Sequence, residues 1–575
     1  MMRTTPNEKI QDWYSIFLLF GIVFMLLFCG SIWLTWNWLT GWGAISEYYK
    51  YFLSFFKKVA LGGSGYDWIQ YWNWLERENL VLHFYIHLIV PLLFSFLVSY
   101  KLTKKLAWEE GGRDLSKHVD GAKPYIGKRA MSIAKKKANK SLKKSGSKSR
   151  GINIYPDIVL TKKDEQSNIL TLGTSGGGKT TVILPIIDQV INRNDRFFIY
   201  DEKKEFTTFF LNNKSILIAP WDDRSFRWAI ENDIQNEHDA EMIAANLIPD
   251  GNSHDPMWIK GARLIFTGML VSLLEEDEPW GWGSINQRIQ LSQSEMLSLL
   301  QRYYPIAASF VIDGSKTTQG FYVNLIAELS WIETLAVAWR DSDKPRFSIR
   351  EWLNNNHKKV RNTLIVQSDP RYKSIGAPLC NALLSLMTKH FLSLPMKNTR
   401  DTWLFIDEMA NLPPNPSIKM WLELARSRGG RAVFGTQSIS QIKNIYGEHD
   451  ADTILNLFSI VVAMRIGGAG GDSEYVSNVF GDRIVERPSQ IGAEKTWQRS
   501  SEAIVSEHDL THIEMPTKKG VIGYLMVPSW EGVFRLQWPL FKKKPIAEEH
   551  VSAKWLTERP KKEKKPENKL FGGRS

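Results

Sequence analysis

Two long uncharged stretches lie near the start of the chain. Residues 13–34 carry no charged side chain over 22 positions, and residues 80–100 carry none over 21. About 20 apolar residues are enough for a helix to span the hydrocarbon core of a bilayer. Pro91 interrupts the second stretch, which a membrane helix tolerates when neighbouring groups satisfy the freed carbonyl. The pattern predicts a membrane anchor over residues 1–105, with transmembrane helices at about 13–34 and 80–100 joined by a loop at 35–79.

The rest of the chain alternates short apolar runs with segments of helical periodicity. The runs typical of buried strands are 168–172, 196–201, 215–221, 359–367, 402–408, 431–437 and 460–464. Strands that alternate with helices indicate an α/β domain built on a parallel sheet. The apolar spacing is helical instead in 240–248, 262–274, 285–304 and 320–339. We therefore predict an α/β domain formed by 151–235 and 346–541, interrupted by an all-α domain at 236–345.

The net charge of +12 is concentrated in two segments. Residues 101–150 contain sixteen Lys or Arg against four Asp or Glu, and residues 542–575 contain eleven against five. Because Lys and Arg are enriched in cytoplasmic loops, both termini and the α/β domain are predicted to be cytoplasmic, with the loop at 35–79 outside. Residues 106–150 are predicted to be a basic linker that either binds an anionic lipid surface or nucleic acid, or is only solvated. Residues 542–575 are predicted to be a disordered basic tail.

Candidate chemistry begins at residues 173–180, which read GTSGGGKT and match the pattern G-x-x-x-x-G-K-[ST]. A strand-like run precedes them and a helix-like run follows, so that backbone N–H groups would face a phosphate. Lys179 is predicted to bind the β- and γ-phosphates of ATP, and the Thr180 hydroxyl to hold Mg²⁺. The residues predicted to contact the nucleotide are Gly173, Thr174, Ser175, Gly176, Gly177, Gly178, Lys179, Thr180 and Thr181.

An acidic pair ends a second strand-like run, TWLFIDE at 402–408. A buried parallel strand delivers its carboxyl end to the ligand crevice of an α/β sheet. Asp407 is predicted to hold Mg²⁺, directly or through water. Glu408 is predicted to orient and deprotonate the attacking water.

A third run, RAVFGTQ, ends at Gln437, which is predicted to sense the γ-phosphate or to position water. Three arginines precede or begin this run: Arg426, Arg428 and Arg431. In a ring ATPase an arginine supplied by the neighbouring subunit neutralises charge in the transition state. Each of the three is a candidate for this role.

These motifs resemble the type IV secretion coupling proteins, the TraD-like membrane ATPases of bacterial conjugation, over about residues 10–540. Beyond the phosphate loop the matching segments are YDEKKEF at 200–206, PWDDRS at 220–225, ANLIP at 245–249, DPMW at 255–258, LFIDE at 404–408 and GTQSISQIKNIYG at 435–447. The family pattern Asp-Pro-Lys-Gly-Glu is altered here by Glu202 and Lys204, while Asp201, Lys203 and Glu205 keep their places. Arg426 lies eleven residues before Gln437, similar to the family's trans-acting arginine.

The resemblance implies a RecA-like P-loop motor domain with an all-α insertion, preceded by two transmembrane helices. It implies a bacterial inner-membrane, DNA-dependent ATPase that assembles as a homo-hexamer. The implied partners are single-stranded DNA with its bound relaxase, which together form the relaxosome, and the inner-membrane components of a type IV secretion channel.

Three alternatives remain open at this point. An FtsK-like translocase shares the anchor and the motor, but the polar tail is too short for a duplex-reading winged domain. A coupling protein for protein effectors only would carry the same motifs. A membrane receptor that binds ATP without hydrolysing it is disfavoured because both Asp407 and Glu408 are present.

Overall fold

The computed structural model describes residues 13–39, 45–107, 117–146, 149–248, 256–276, 278–312, 314–340, 344–354, 361–396, 400–468, 471–491 and 494–557. Two compact units are present. The first comprises the chain up to Asp120 together with Ile484–Ser501, and the second comprises Gly121–Arg483 together with Glu502–Ser575.

The strands, in chain order, are β1 Lys117–Gly121, β2 Lys123–Tyr125, β3 Arg150–Tyr155, β4 Ile158–Thr161, β5 Ile169–Leu172, β6 Arg196–Asp201, β7 Ser215–Ile218, β8 Arg227–Trp228, β9 Arg346–Phe347, β10 Thr363–Gln367, β11 Thr402–Ile406, β12 Gly430–Thr436, β13 Ile460–Ala463, β14 Asp482–Ile491, β15 Glu494–Ala503, β16 Val521–Met526 and β17 Gly532–Trp538.

The helices, in chain order, are α1 Trp13–Leu39, α2 Ile45–Leu61, α3 Tyr66–Arg77, α4 Val81–Ala107, α5 Gly127–Ser145, α6 Lys162–Glu165, α7 Lys179–Asn192, α8 Glu205–Phe210, α9 Ile230–Asp233, α10 Glu237–Leu247, α11 Pro256–Glu275, α12 Trp282–Ile289, α13 Gln293–Tyr303, α14 Pro305–Ala308, α15 Lys316–Leu329, α16 Trp331–Ala338, α17 Ile349–Asn354, α18 Lys373–Ser393, α19 Pro416–Leu424, α20 Ile439–Tyr446, α21 Glu448–Asn456, α22 Asp472–Phe480, α23 Glu507–Thr511 and α24 Lys554–Thr557.

The first unit contains the two predicted apolar helices. Within α1 the segment Phe17–Thr35 is apolar enough to cross a membrane, and within α4 so is Val81–Thr103. The two helices pack together, and the Thr35 hydroxyl lies 3.2 Å from Nδ1 of His87, which gives this buried imidazole a polar partner. The predicted loop at 35–79 is not a plain connector, because it contains α2 and α3. Tyr71 of α3 is buried and stacks on Tyr51 of α2 at a centroid distance of 4.9 Å.

The second unit is built on one large sheet. Within the described residues ten strands pair in the order β2-β17-β16-β13-β5-β12-β11-β6-β10-β7. The seven strands from β13 to β7 run parallel, whereas β16 is antiparallel to both β13 and β17. Every residue of β5, β6, β10, β11, β12 and β13 is buried. This explains the near-continuous apolar runs in the sequence, since a parallel sheet is covered on both faces.

The helices α10–α16 occupy the stretch between β8 and β9, where the sequence predicts an all-α domain. The short pair β8–β9 closes the stretch, with Arg227 opposite Arg346 and Trp228 opposite Phe347. Its longest helix, α11, is also apolar enough to span a membrane, yet 12 of its 20 residues are buried inside the protein. In this structure α11 is therefore the core helix of the segment, and most of its apolar residues are covered by protein.

Residues 106–150 differ from the predicted linker where the structure describes them. β2 extends the large sheet beside β17, and α5 packs on β4 and β17. The buried face of α5 consists of Ala130, Ala134 and Ala138, which are small enough to bring the helix axis close to the sheet. Lys137 forms an ion pair with Glu531 at 3.0 Å. The basic side chains lie mostly on the opposite, exposed face of α5. Because these charges dominate the sequence of the helix, its buried alanines were not recognised as a packing face.

The predicted disordered tail is also ordered over its first half. The backbone N–H of Val551 donates to Oδ2 of Asp222 at 3.0 Å, and that of Ala553 donates to the carbonyl of Trp221 at 2.9 Å. Trp555 donates from Nε1 to the carbonyl of Pro220 at 2.8 Å. Residues 542–557 are thereby held against the loop after β7. The rest of the predicted tail, 558–575, lies outside the described residues.

Candidate active site

The phosphate loop connects β5 to α7, as the sequence predicts. Gly178 precedes the helix with φ of 99°, a backbone conformation that residues with a side chain rarely adopt. A Cβ at this position would lie 2.4 Å from Cγ1 of Val521. Gly176, with φ of 71°, lies at the exposed tip beside Ser175. Both glycines are therefore required by the backbone path of the turn.

The remaining loop residues are tied to the sheet through their backbones. The N–H of Gly173 donates to the carbonyl of Thr436 at 3.3 Å, and the N–H of Thr174 donates to the carbonyl of Arg465 at 2.9 Å. Inside the turn, Gly177 donates to the carbonyl of Thr174 at 2.9 Å, and Thr181 donates to that of Gly178 at 3.0 Å. The loop is thus fixed between the carboxyl ends of β12 and β13.

Lys179 folds back onto this loop. Its Nζ donates to the carbonyl of Gly173 at 2.6 Å, and the residue is only 5% exposed. Burial lowers the pKa of Lys179, while the carboxylates of Glu408 and Asp407 oppose that shift. The lysine therefore lies in a poorly solvated position, within electrostatic reach of both members of the acidic pair.

The acidic pair follows β11 and is buried. Oδ1 of Asp407 and Oε2 of Glu408 have no hydrogen-bond partner among the described residues. The other Glu408 oxygen, Oε1, accepts from the backbone N–H of Gln437 at 3.2 Å. Burial raises the pKa of Glu408 above its usual range, although Lys179 and the hydrogen bonds from Gln437 work against the shift. A desolvated carboxylate with a free oxygen is suited to accept a proton.

The close approach of β11 and β12 depends on one glycine. A Cβ at Gly435 would lie 2.2 Å from the carbonyl oxygen of Asp407. The small residue in RAVFGTQ therefore lets the two strand ends meet. It brings the backbone N–H of Gln437 to the Glu408 carboxylate.

The loop after β6 contributes groups that the predicted site omitted. Burial raises the pKa of Asp201 to about 6, and its Oδ2 accepts from the N–H and the hydroxyl of Thr207, both at 2.6 Å. Lys203 places Nζ 3.7 Å from Oδ2 of Asp407. Burial and Asp407 raise the pKa of Glu205, while Lys203 and a hydrogen bond with Thr180 oppose the shift. The motif DEKKE carried this signal, but only the fold brings it beside the phosphate loop.

The residues present fit a Mg²⁺–nucleotide. The orphaned Oδ1 of Asp407 and the Thr180 hydroxyl are hard oxygen ligands, and the loop offers the close backbone approach that phosphate requires. Within the described ranges no group of three or more His, Cys, Asp or Glu forms a ready-made metal site. That suits Mg²⁺, which usually takes one or two protein carboxylates and completes its shell with phosphate and water.

The three candidate arginines occupy different environments. Arg426 is exposed on the 3-10 turn Ala425–Arg428. Arg428 is half-buried and donates to the carbonyl of Leu394. Arg431 is 1% exposed and pairs with Glu165 at 3.0 Å and Asp401 at 2.8 Å. Arg431 is therefore a structural residue, and Arg426 is the most exposed of the three.

Comparisons with known proteins agree on one family. The family described as type IV secretion-system coupling protein DNA-binding domain matches residues 153–522, more than half of the chain. A curated relative, the coupling protein TraD of Escherichia coli (strain K12), is 25% identical over 399 residues. This match covers 68% of the chain and 53% of TraD, so the chain matches only about half the length of that relative.

Solved structures give the same result for the fold. The unbound bacterial conjugative coupling protein TrwB has a TM-score of 0.64 at 21% identity, covering 77% of this chain and 98% of that one. TrwB in complex with ADP and Mg²⁺ has a TM-score of 0.63, also at 21% identity, covering 77% of this chain and 100% of that one. These matches confirm the predicted fold class, a P-loop motor domain of RecA-like type with an all-α insertion.

Proposed function

Because the chain belongs to the family of type IV secretion-system coupling proteins, we propose that it is an inner-membrane ATPase of conjugative DNA transfer. It links single-stranded DNA with bound relaxase to the secretion channel and uses ATP hydrolysis to drive export. The observation that carries the proposal is the convergence of Lys179, Asp407 and Glu408 at the carboxyl edge of one parallel sheet.

Each residue has a separate task in hydrolysis. Lys179 binds the β- and γ-phosphates, and the loop around it provides backbone N–H donors. Thr180 and Asp407 would hold Mg²⁺, which would neutralise phosphate charge. Glu408 orients a water and accepts its proton at Oε2, the oxygen without a partner among the described residues. The backbone N–H of Gln437 donates to Oε1 of Glu408, so this hydrogen bond couples the carboxylate to the end of β12.

A ring of subunits, a homo-hexamer by analogy with the family, would complete the site. Arg426 precedes β12, whereas Gln437 follows it. A strand of seven residues separates the two positions by about 23 Å. Arg426 is thus too far from its own phosphate loop to contact a nucleotide there. An exposed arginine at that edge is placed to act on the site of a neighbouring subunit.

The two apolar helices support membrane anchoring. In the proposed topology α1 and α4 cross the inner membrane, both termini and the motor are cytoplasmic, and the segment with α2 and α3 is periplasmic. The exposed basic face of α5 fits the anionic lipid surface on the cytoplasmic side. Each Lys or Arg near such a surface contributes about 1 kcal/mol of binding free energy.

The test combines hydrolysis with transfer. We expect the purified full-length protein to hydrolyse ATP faster when single-stranded DNA is added. The Lys179→Ala variant should insert into the membrane normally, lose ATP hydrolysis and abolish DNA transfer between cells. A wild-type frequency of DNA transfer by Lys179→Ala would refute the proposal that ATP hydrolysis drives export. Export of relaxase without its DNA would indicate a coupling protein for protein effectors only.

A further inference from the structure

Two adjacent lysines after β6 engage different carboxylates. Lys204 places Nζ 2.6 Å from Oδ2 of Asp369, and its side chain is only 12% exposed. Lys203 places Nζ 3.7 Å from Oδ2 of Asp407, and its side chain is 42% exposed. Lys204 is therefore locked in a structural ion pair. Lys203 is long, half-solvated and loosely paired, so it can move at little energetic cost.

The fold delivers Lys203 to the active site. β6 and β11 are neighbouring parallel strands, with Tyr200 level with Ile406. Their carboxyl ends therefore emerge side by side. Lys204 adopts φ of 62°, so the chain turns sharply immediately after Lys203 and begins α8. The turn sends the two lysines to separate partners.

The charge of Lys203 acts on the groups that surround the proposed nucleotide. Burial lowers the pKa of Lys179, and the Lys203 cation adds to that lowering. Burial raises the pKa of the Glu205 carboxyl, and Lys203 opposes that rise. Lys203 thus lies among Lys179, Glu205 and Asp407. Asp407 keeps its other oxygen, Oδ1, without a partner among the described residues.

We propose that Lys203 is a second nucleotide-binding lysine, whose ammonium is shared between Asp407 and the terminal phosphate of ATP. The same ammonium weakens the binding of Mg²⁺ to the Asp407 carboxylate. The inference rests on the proposed function, because it requires ATP in this site. A terminal phosphate held by Lys179 lies beside Asp407, so a half-exposed ammonium 3.7 Å from that carboxylate is within reach of it. ADP lacks this phosphate and would not gain the contact.

The same ammonium affects the metal. Oδ2 of Asp407 is partly neutralised by Lys203, so the carboxylate attracts Mg²⁺ less strongly than an unpaired one. Removing the ammonium should therefore strengthen Mg²⁺ binding while weakening the binding of metal-free ATP. Loss of a merely structural contact would not move these two quantities in opposite directions.

The test measures nucleotide binding by the full-length protein, using displacement of a fluorescent ATP analogue. In EDTA, Lys203→Met should raise the Kd for ATP about tenfold, the loss typical of one charged contact. The Kd for ADP should change by less than about twofold. The Mg²⁺ concentration giving half-maximal binding should fall. Lys203→Arg should restore ATP binding, and Lys214→Met, which removes an exposed lysine from the same unit, should match the wild type.

Equal weakening of ATP and ADP, or an unchanged Kd for ATP, would overturn the proposal. If Lys203→Met fails to fold, the wild-type protein provides the answer. Acetylation of Lys203, followed by mass spectrometry, should be suppressed by ATP more than by ADP, and equal protection would refute the contact. Lys179→Ala separates the two levels of the argument. Normal ATP binding by Lys179→Ala would refute the proposed function itself. If Lys179→Ala loses ATP binding while Lys203→Met binds ATP like the wild type, only the role of Lys203 is refuted.

Discussion

At the scale of single residues, the division of work within the acidic pair gives the first prediction. Glu408→Gln should bind ATP normally but hydrolyse it slower by orders of magnitude, because the amide cannot accept a proton. Asp407→Ala should instead weaken Mg²⁺-dependent binding of ATP. Binding isotherms and single-turnover hydrolysis separate the two effects. Normal hydrolysis by Glu408→Gln would mean that another group is the base.

Burial of Asp201 gives a prediction for stability. Its pKa is raised from 3.8 to about 6 in the folded protein, so the stabilisation that depends on its protonated form is present below pH 3.8 and lost as the pH rises through about 6. Asp201→Asn still accepts both hydrogen bonds from Thr207. The variant should therefore gain thermal stability relative to wild type as the pH rises from 5 to 7.

Thermal melting of the two proteins without nucleotide measures this gap. Asp223→Asn, at an exposed position, is the matched control and should show a flat difference. A gap that widens towards low pH would have the wrong sign and would contradict the burial argument.

The sequence predicts Lys179, Asp407, Glu408 and Gln437 as site residues because each sits at a fixed place in a strand–loop motif. It did not place Lys203 and Glu205 beside these residues, for a different reason. The contact of Lys203 with Asp407 depends on the pairing of β6 with β11, which joins segments about 200 residues apart in the chain. The contact of Glu205 with Thr180 depends on the start of α8 meeting the start of α7. Local patterns carry no such register.

At the scale of elements, the junction between β11 and β12 tests how tightly the site is built. Gly435→Ala should destabilise the protein by roughly 2 kcal/mol or more, because its Cβ meets backbone that cannot move without shifting a strand. Gly467→Ala meets only Thr174 at 3.8 Å and should change stability by less than about 0.5 kcal/mol. Denaturant unfolding of both variants makes the comparison, and similar values would show that the strands accommodate the methyl group.

Some elements were predictable and others were not. The buried parallel strands follow from continuous apolar runs, and the α10–α16 helices follow from periodicity. In contrast, α5 was hidden by its lysines, although Ala130, Ala134 and Ala138 mark its packed face at a spacing of four. The ordered segment 542–557 was missed because its hydrogen bonds go to the distant loop after β7, at Pro220, Trp221 and Asp222, and no local pattern in the sequence records that pairing.

At the scale of the whole molecule, the membrane topology gives a prediction from charge asymmetry. A reporter active only outside the cytoplasm should be active when fused near Gly63, in the segment between α1 and α4. The same reporter fused near Gly121 should be silent, because the basic flank of α4 remains inside. The reverse pattern would place the motor outside the cytoplasm, away from ATP, and defeat the proposed function.

Ring assembly is tested by mixing two inactive variants. Arg426→Ala should lose hydrolysis because it cannot complete the neighbouring site, while Lys179→Ala loses its own nucleotide but keeps Arg426. In a mixed ring, a Lys179→Ala subunit supplies its arginine to the intact phosphate loop of an Arg426→Ala neighbour, so part of the ATPase activity should return. Arg428→Ala, which removes a side chain already bonded to Leu394, is the matched comparison for an effect on the turn alone. Full activity of Arg426→Ala by itself would exclude this arginine, and loss without rescue would assign it a role within its own subunit or a need for an unbroken ring.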